Sequence, residues 1–241
     1  MRTRMNLTPR DSATLGRAHD HSLRWLLLLQ VLTIFFAIPL AAVHGVGAVL
    51  ADLCRLAFAG VCIRVFTRQR WVQALLVGAL ALLLVLPLLT GPLGGGWSAI
   101  ARNEAITWTV AVFNLTVTVL VARYVFGPGR VGFHRVLGAV LIYLNVAMLF
   151  ANFYALMVLV LPDAISGLSP LTFVLAPQKR VAELLYFSLG TITSTGVGDL
   201  TPLHPLARSL ANLEGVIGQL FPATLIARLV GLHLAHAGKR S

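Results

Sequence analysis

The chain has 241 residues, of which 58% are hydrophobic and only 11% are charged. An ordinary soluble domain is about half apolar and about a quarter charged, so this composition excludes a water-soluble globule and indicates a protein embedded in lipid. The formal charge of +11 does not indicate a nucleic-acid partner, because the arginines lie in short clusters between apolar runs without forming a basic face.

Six apolar runs are long enough to cross a bilayer, since about 20 helical residues rising 1.5 Å each span roughly 30 Å of hydrocarbon. They lie at about residues 25–43, 46–66, 71–90, 105–126, 136–161 and 206–232. Each run must be a helix, because the hydrocarbon core holds no water to satisfy open backbone groups. The sequence therefore predicts an all-α membrane protein with six transmembrane helices.

The distribution of lysine and arginine predicts the orientation of these spans. Six spans place both termini and the 67–70 and 127–135 loops on the same side of the membrane. That side holds fourteen of the nineteen basic residues. Five lie near the N-terminus, three in or near each of the two loops, and three near the C-terminus. By the positive-inside rule this side is the cytoplasm, so we expect both termini to be cytoplasmic.

The segment between the last two spans, about residues 162–205, differs from the other connections. It begins with polar residues, continues with a short apolar piece at Ala182–Thr193 and ends in a glycine-containing run. This pattern predicts a reentrant helix and loop between the fifth and sixth spans. Non-helical backbone at membrane depth is tolerated only where it is buried in protein or lines a watery cavity.

The loop carries the run Ser194-Thr-Gly-Val-Gly-Asp199. Gly196 and Gly198 permit backbone conformations that other residues rarely adopt, so successive carbonyl oxygens can turn toward one axis. Four such strips would form stacked carbonyl rings that replace the hydration shell of a cation. An ordinary glycine-containing loop is the alternative, but the short helix before the run and the aspartate and apolar helix after it favour a pore.

Residues 183–232 resemble the pore region of potassium channels, and the fifth span corresponds to the outer helix of that family. The resemblance implies that Ser194, Thr195, Gly196 and Val197 coordinate K⁺. It implies further that Gly198 closes the selectivity filter and that Asp199 lies at the outer mouth.

The same resemblance implies a homotetramer around one pore in a lipid bilayer, which we expect to be a bacterial inner (plasma) membrane. Monovalent cations are the expected partners, with K⁺ as the permeant ion and no further cofactor. The family usually has tyrosine where this chain has Val197, and the missing ring would otherwise brace the filter against the pore helix. A weakly selective Na⁺/K⁺ channel therefore stays as the alternative to a potassium channel.

Two residues of the last span are candidates for the cavity or the gate. Glu214 either faces the cavity, where four carboxylates would concentrate cations, or forms a hydrogen bond to the pore helix or Arg208. The second interpretation is slightly favoured, because the cavity of the family is usually less charged. Gly218 falls where the family's inner helix has a hinge glycine, and a small residue for close helix packing explains it equally well.

The chain divides into an N-terminal cytoplasmic segment (1–24), a four-helix transmembrane domain (25–126), a pore domain (136–234) and a short tail (235–241). The fourth span carries only Arg123, near its end, whereas a voltage sensor needs several arginines at every third position. Weak or absent voltage dependence is therefore predicted. Asp52 and Arg55, three residues apart in the second span, are expected to pair on one helix face.

Two other classes of protein fit the sequence less well. An intramembrane enzyme needs a nucleophile and base, or two aspartates, at membrane depth, and the predicted spans offer neither. A secondary transporter usually has repeated halves with discontinuous helices, whereas one reentrant segment is predicted here. We therefore expect a channel without catalytic residues. Cys54 and Cys62 show no disulfide or metal-ligand spacing and are expected to be buried thiols.

Overall fold

The computed structural model describes residues 23–66, 70–89, 99–126, 133–168 and 177–237. Within these ranges the chain forms seven main helices: α1 (Leu23–Val43), α2 (Gly45–Phe66), α3 (Arg70–Leu89), α4 (Ala99–Val125), α5 (Phe133–Val160), α6 (Pro177–Ile192) and α7 (Pro205–Ala237). A 3₁₀ turn (Pro162–Ala164) and strand β1 (Ile165–Ser166) follow α5, and strand β2 (Thr201–Pro202) precedes α7. The first 22 residues and residues 238–241 of the predicted terminal segments lie outside the described residues.

Five helices are long and apolar enough to cross a membrane. They are Leu23–Val43, Gly45–Cys62, Ala101–Arg123, Val136–Val160 and Pro205–Ala227. The prediction of a mostly helical membrane protein is therefore confirmed. Helix α3 lies where the third span is predicted but is not among these five, so the count of six spans stays a prediction.

Helix α1 contains a π-helical turn at Thr33–Ala37 that hydropathy does not predict. Pro39 lies two residues after the end of this turn and cannot donate a backbone hydrogen bond to the carbonyl four residues earlier. The backbone adopts the wider π turn at this point, as often occurs where a regular helical hydrogen bond is lost. The Thr33 hydroxyl donates to the carbonyl of Leu29 at 2.7 Å within the same stretch.

The buried side chains form three clusters, and α5 contributes to all of them. Its first half packs with α1, α2, α3 and α4 through residues such as Leu141 and Ile142. Its second half packs with α6 and the segments beside the strands through residues such as Tyr154. Ala151 belongs to a third cluster with α1 and α6. Helix α5 therefore joins the four preceding helices to the C-terminal part of the chain.

Helix α7 makes few contacts within the chain. Only 11% of its apolar window is buried, compared with 56% for α5. The buried residues of its first half include Ala207, Glu214 and Gly218, which lie on one helical face because their spacings are close to whole turns. The rest of α7 exposes large apolar side chains such as Leu213 and Leu220.

Candidate functional site

The site begins at the C-terminal end of α6, where the helix stops at Ile192. Ser194 adopts a left-handed conformation with φ of 57°, a geometry that commonly ends helices. The backbone N–H groups of Thr195 and Gly196 both donate to the carbonyl of Gly190, at 2.8 and 3.2 Å. The end of α6 therefore fixes where the following backbone starts.

Residues Thr193–Asp199, here called the strip, follow α6 without regular secondary structure. Every second residue at its centre has a positive φ: 57° at Ser194, 55° at Gly196 and 87° at Gly198. When positive and negative φ angles alternate, successive N–H groups can turn toward one side and the carbonyl oxygens toward the other. Glycine adopts such angles without steric cost, whereas Ser194 adopts its angle at some cost in strain.

The whole strip is exposed in the single chain. Within the strip, Val197 is 62% exposed. Behind the strip lies a groove of about 300 Å³ that is lined by both the strip and α6. Tyr186 and Phe187 are the aromatic residues of α6 that line this groove. The Val197 side chain is therefore uncovered by its own helix.

The C-terminal end of the strip is attached to the segment that follows α5. Strands β1 and β2 pair antiparallel, with Ser166 opposite Thr201, and the hydroxyl oxygens of these two residues lie 2.6 Å apart. The N–H groups of Leu203 and His204 donate to the carbonyl of Ala164, at 2.9 and 3.2 Å. The chain therefore leaves the strip along a path that is fixed by the loop after α5.

Asp199 ends the strip beside α6. Its carboxylate accepts a hydrogen bond from the N–H of Leu200 at 3.0 Å and lies close to the hydroxyl of Tyr186. Desolvation raises the pKa of Tyr186, and the neighbouring Asp199 carboxylate raises it further. The Tyr186 hydroxyl is thus a neighbour of the Asp199 carboxylate, the residue predicted for an outer mouth.

The N-terminal end of the strip contacts α7. The side-chain amide of Gln219 donates to the Ser194 hydroxyl oxygen at 2.7 Å. One residue earlier, a Cβ atom added to Gly218 would lie 1.9 Å from the carbonyl oxygen of Ile192, so the backbones of α6 and α7 touch here. This geometry gives Gly218 a close-packing role, and the hinge role stays a prediction.

Helix α5 supports the same end of α6. The Tyr143 hydroxyl donates to the Ile192 carbonyl at 2.9 Å, which satisfies one of the acceptors that a helix leaves open at its C-terminus. Ile192 is therefore held by a hydrogen bond from α5 on one side and by contact with Gly218 on another.

Glu214 is fully buried, at 0% exposure, among three helices. One carboxyl oxygen accepts a hydrogen bond from the Tyr154 hydroxyl of α5 at 2.7 Å. The other carboxyl oxygen makes a short hydrogen bond with the Ser188 hydroxyl of α6. The Ser188 oxygen also lies 2.7 Å from the Ala147 carbonyl oxygen, to which it donates.

Arg208, the other partner considered for Glu214, is exposed. Its Nε–H donates to the carbonyl of Pro202 at 3.1 Å. The sequence left open whether Glu214 faces a cavity or forms a hydrogen bond to the pore helix or Arg208. In the structure Glu214 is buried and contacts Ser188 of α6, the predicted pore helix.

The four-helix part of the chain contains the expected pair of charges. The Arg55 guanidinium lies 2.6 Å from the Asp52 carboxylate, and their side chains are 27% and 51% exposed. Cys54 and Cys62 are both buried and free. None of these residues lies near the strip in sequence or shares a cluster with it.

Sequence reasoning missed four side chains of the site: Tyr143, Tyr154, Ser188 and Gln219. Gln219 carried a signal, because it is a polar residue inside an apolar span and follows Gly218 directly. Nothing in the sequence distinguishes the two tyrosines and the serine, since such residues are common in membrane helices and their partners lie far away in sequence.

Residues 149–232 of the chain match a family model described as an ion channel. The match runs from the second half of α5 through α6, the strip and most of α7. No curated protein and no solved structure matches the chain. Residues 149–232 are therefore similar to an ion channel domain, and the five long apolar helices indicate an integral membrane protein.

Proposed function

We propose that four copies of the chain surround a pore that conducts monovalent cations passively, with K⁺ as the preferred ion. The observation that carries the proposal is the alternation of positive φ angles at Ser194, Gly196 and Gly198. It occurs on an exposed strip at the end of a helix, inside the region that matches the ion channel family.

The exposure of the strip supports an assembly of several copies. Irregular backbone cannot face hydrocarbon, because its N–H and C=O groups would have no partners there. The described residues leave the strip exposed, so in a membrane other copies must bury it or share an aqueous axis with it. The exposed apolar face of α7 supplies surface for contacts between those copies. The number four comes from the resemblance to potassium channels.

Oxygen atoms of the strip suit a dehydrated monovalent cation. Four copies would supply rings of main-chain carbonyl oxygens from Ser194 to Val197, with Ser194 hydroxyls at the inner end. Such rings replace the water around the ion at low cost. The C-terminal end of α6, which carries the negative end of the helix dipole, precedes the strip directly. No cofactor other than the permeant ion is needed for this function.

A weakly selective cation channel is the second candidate, and Val197 favours it. Potassium channels usually have a tyrosine at this position, and valine lacks the ring that would brace the filter. A strip with less support can adjust its carbonyl rings to ions of different size, which reduces discrimination between K⁺ and Na⁺.

The positive-inside rule supports an orientation with both termini in the cytoplasm. Asp199 and the paired strands would then lie at the external mouth, and the Gln219 side of the strip would face the cell interior. A bacterial inner (plasma) membrane is the proposed location. Conduction involves no covalent step, so no enzymatic activity is proposed.

Reversal potentials under bi-ionic conditions test this function. The purified full chain is reconstituted into liposomes with K⁺ on one side and Na⁺ on the other. Reversal near the potassium equilibrium potential is expected for a potassium channel, whereas reversal near zero supports the weakly selective channel. Absence of any cation current, or a mass spectrum of the native protein with no tetramer, would contradict the proposed pore.

A further inference from the structure

Glu214 belongs to a buried hydrogen-bonded cluster that conduction through the strip does not use directly. The cluster consists of Glu214 on α7, Ser188 on α6, and Tyr154 with the Ala147 carbonyl on α5. Glu214, Ser188 and Tyr154 are each 0% exposed. A carboxyl group at membrane depth is rare and normally has a functional reason.

The number of hydrogen atoms in the cluster determines its protonation. A serine hydroxyl has one hydrogen to donate, and a backbone carbonyl can only accept. The Ser188 oxygen lies within hydrogen-bond distance of both the Ala147 carbonyl and the Glu214 carboxyl. If Ser188 donates to Ala147, the hydrogen between Ser188 and Glu214 must come from the carboxyl group. If Ser188 donates to Glu214, two acceptors face each other at 2.7 Å with no hydrogen between them.

The surroundings also favour a carboxyl group without charge. Ion pairs join Arg55 to Asp52 and Lys179 to Glu183, and within the described residues neither pair involves Glu214. The Tyr154 hydroxyl donates to the second carboxyl oxygen of Glu214. A protonated Glu214 therefore satisfies every hydrogen-bonding group in the cluster, whereas an ionised one would be a buried charge without a counterion.

We propose that Glu214 is a neutral carboxylic acid that donates to Ser188 and accepts from Tyr154, and that it is a positioning residue for the strip. This inference rests on the proposed pore function. Glu214 lies one helical turn before Gly218, which contacts Ile192, and Gln219 then contacts Ser194. Successive residues of α7 thus contact successive parts of α6 and the strip. The cluster therefore fixes the register of α7 against the helix that carries the strip.

Infrared spectroscopy of the purified full chain tests the protonation state without any need for conduction. We expect a stretching band of a protonated carboxyl group at neutral pH in the wild type and in Asp163→Asn, which removes an exposed carboxylate. Glu214→Gln is expected to lose the band. Ser188→Ala is expected to shift it, because the carboxyl O–H loses its acceptor. A wild-type spectrum without the band, or a band that persists in Glu214→Gln, would overturn the proposal.

Conduction by the same variants tests the positioning role. A glutamine at position 214 can accept from Tyr154 and donate to Ser188, so Glu214→Gln is expected to keep the wild-type reversal potential. Glu214→Ala removes both bonds and is expected to move the reversal potential toward zero in tetramers that remain assembled. Equal damage from both substitutions would show that the charge matters and would contradict the neutral state.

The two experiments separate the present inference from the proposed function. If the wild type conducts no cations but shows the carboxyl band, the pore proposal fails and the protonation assignment stands. If the wild type conducts selectively and Glu214→Ala tetramers keep the same reversal potential, the pore stands and the positioning role is rejected. Size-exclusion chromatography identifies variants that fail to assemble, and for these the wild-type spectrum alone decides the protonation.

Discussion

The helices α5 and α7 are both long and apolar, yet they differ in what stabilises them. Within their membrane windows, 56% of α5 is buried inside the chain but only 11% of α7. Helix α5 packs against other helices, whereas α7 is held mainly by the face that carries Glu214 and Gly218. In lipid, helices associate by close packing and hydrogen bonds, so α5 depends on contacts within the chain, and in the proposed tetramer α7 would depend on contacts with other copies.

Truncation of a large side chain is expected to have the largest effect and to differ between the two helices. Leu141 on α5 is 0% exposed and Leu213 on α7 is 53% exposed. Leu141→Ala leaves a cavity inside the chain and should lower the free energy of unfolding by about 2–5 kcal/mol. Leu213→Ala should leave the fold of the single chain intact and weaken the tetramer.

Thermal unfolding followed by tryptophan fluorescence measures the first effect, and dilution of the detergent-solubilised protein on a size-exclusion column measures the second. The same loss of unfolding stability in both variants, without any change in assembly, would contradict the distinction between α5 and α7.

Gly218→Ala tests the closest contact between α6 and α7. The added methyl group would meet the Ile192 carbonyl at 1.9 Å, and backbone cannot move aside as a flexible side chain can. We expect a loss of about 1–3 kcal/mol per chain from overpacking, measured as a lower midpoint of thermal unfolding. Gly215→Ala is the matched control, because its nearest atom outside the local helix, the Thr191 carbonyl oxygen, lies 4.0 Å away. If Gly218→Ala is as stable as Gly215→Ala, the two backbones are not in contact.

Gln219→Leu is expected to have a smaller effect that is confined to the strip. The substitution removes the 2.7 Å hydrogen bond to Ser194, which contributes about 1 kcal/mol. We expect a lower ratio of K⁺ to Na⁺ permeability and little change in thermal stability. Asn212→Leu, at an exposed polar position on the same helix, serves as control. A permeability ratio that is unchanged in Gln219→Leu would show that this amide does not support the strip.

The sequence was sufficient to predict the helical class, five of the spans and the position of the strip after a short helix. Apolar runs report these features because a membrane span needs a continuous apolar stretch, whatever its neighbours are. The sequence was also sufficient to identify Glu214 as unusual, since a carboxylate inside an apolar run is costly.

The partners of these residues could not be predicted in the same way. Glu214 meets Tyr154 and Ser188 across 60 and 26 positions of the chain, and such meetings depend on how far each helix is rotated about its axis. Hydropathy does not indicate how a helix is rotated about its axis in lipid, because exposed and buried faces are both apolar there. The close approach of Gly218 to Ile192 was undetectable for the same reason, because a small residue fits a hinge as well as a contact.

The most direct test of the central claim is potassium flux into liposomes with Gly196→Ala, compared with Gly60→Ala. Both glycines have open space around the position of a Cβ atom, but only Gly196 has a positive φ, of 55°. An alanine there strains the backbone by about 1–2 kcal/mol in each copy, and the carbonyl groups would turn away from the axis. We expect flux to be abolished in Gly196→Ala and retained in Gly60→Ala. Equal flux in the two variants would show that the strip from Ser194 to Gly198 does not line the pore.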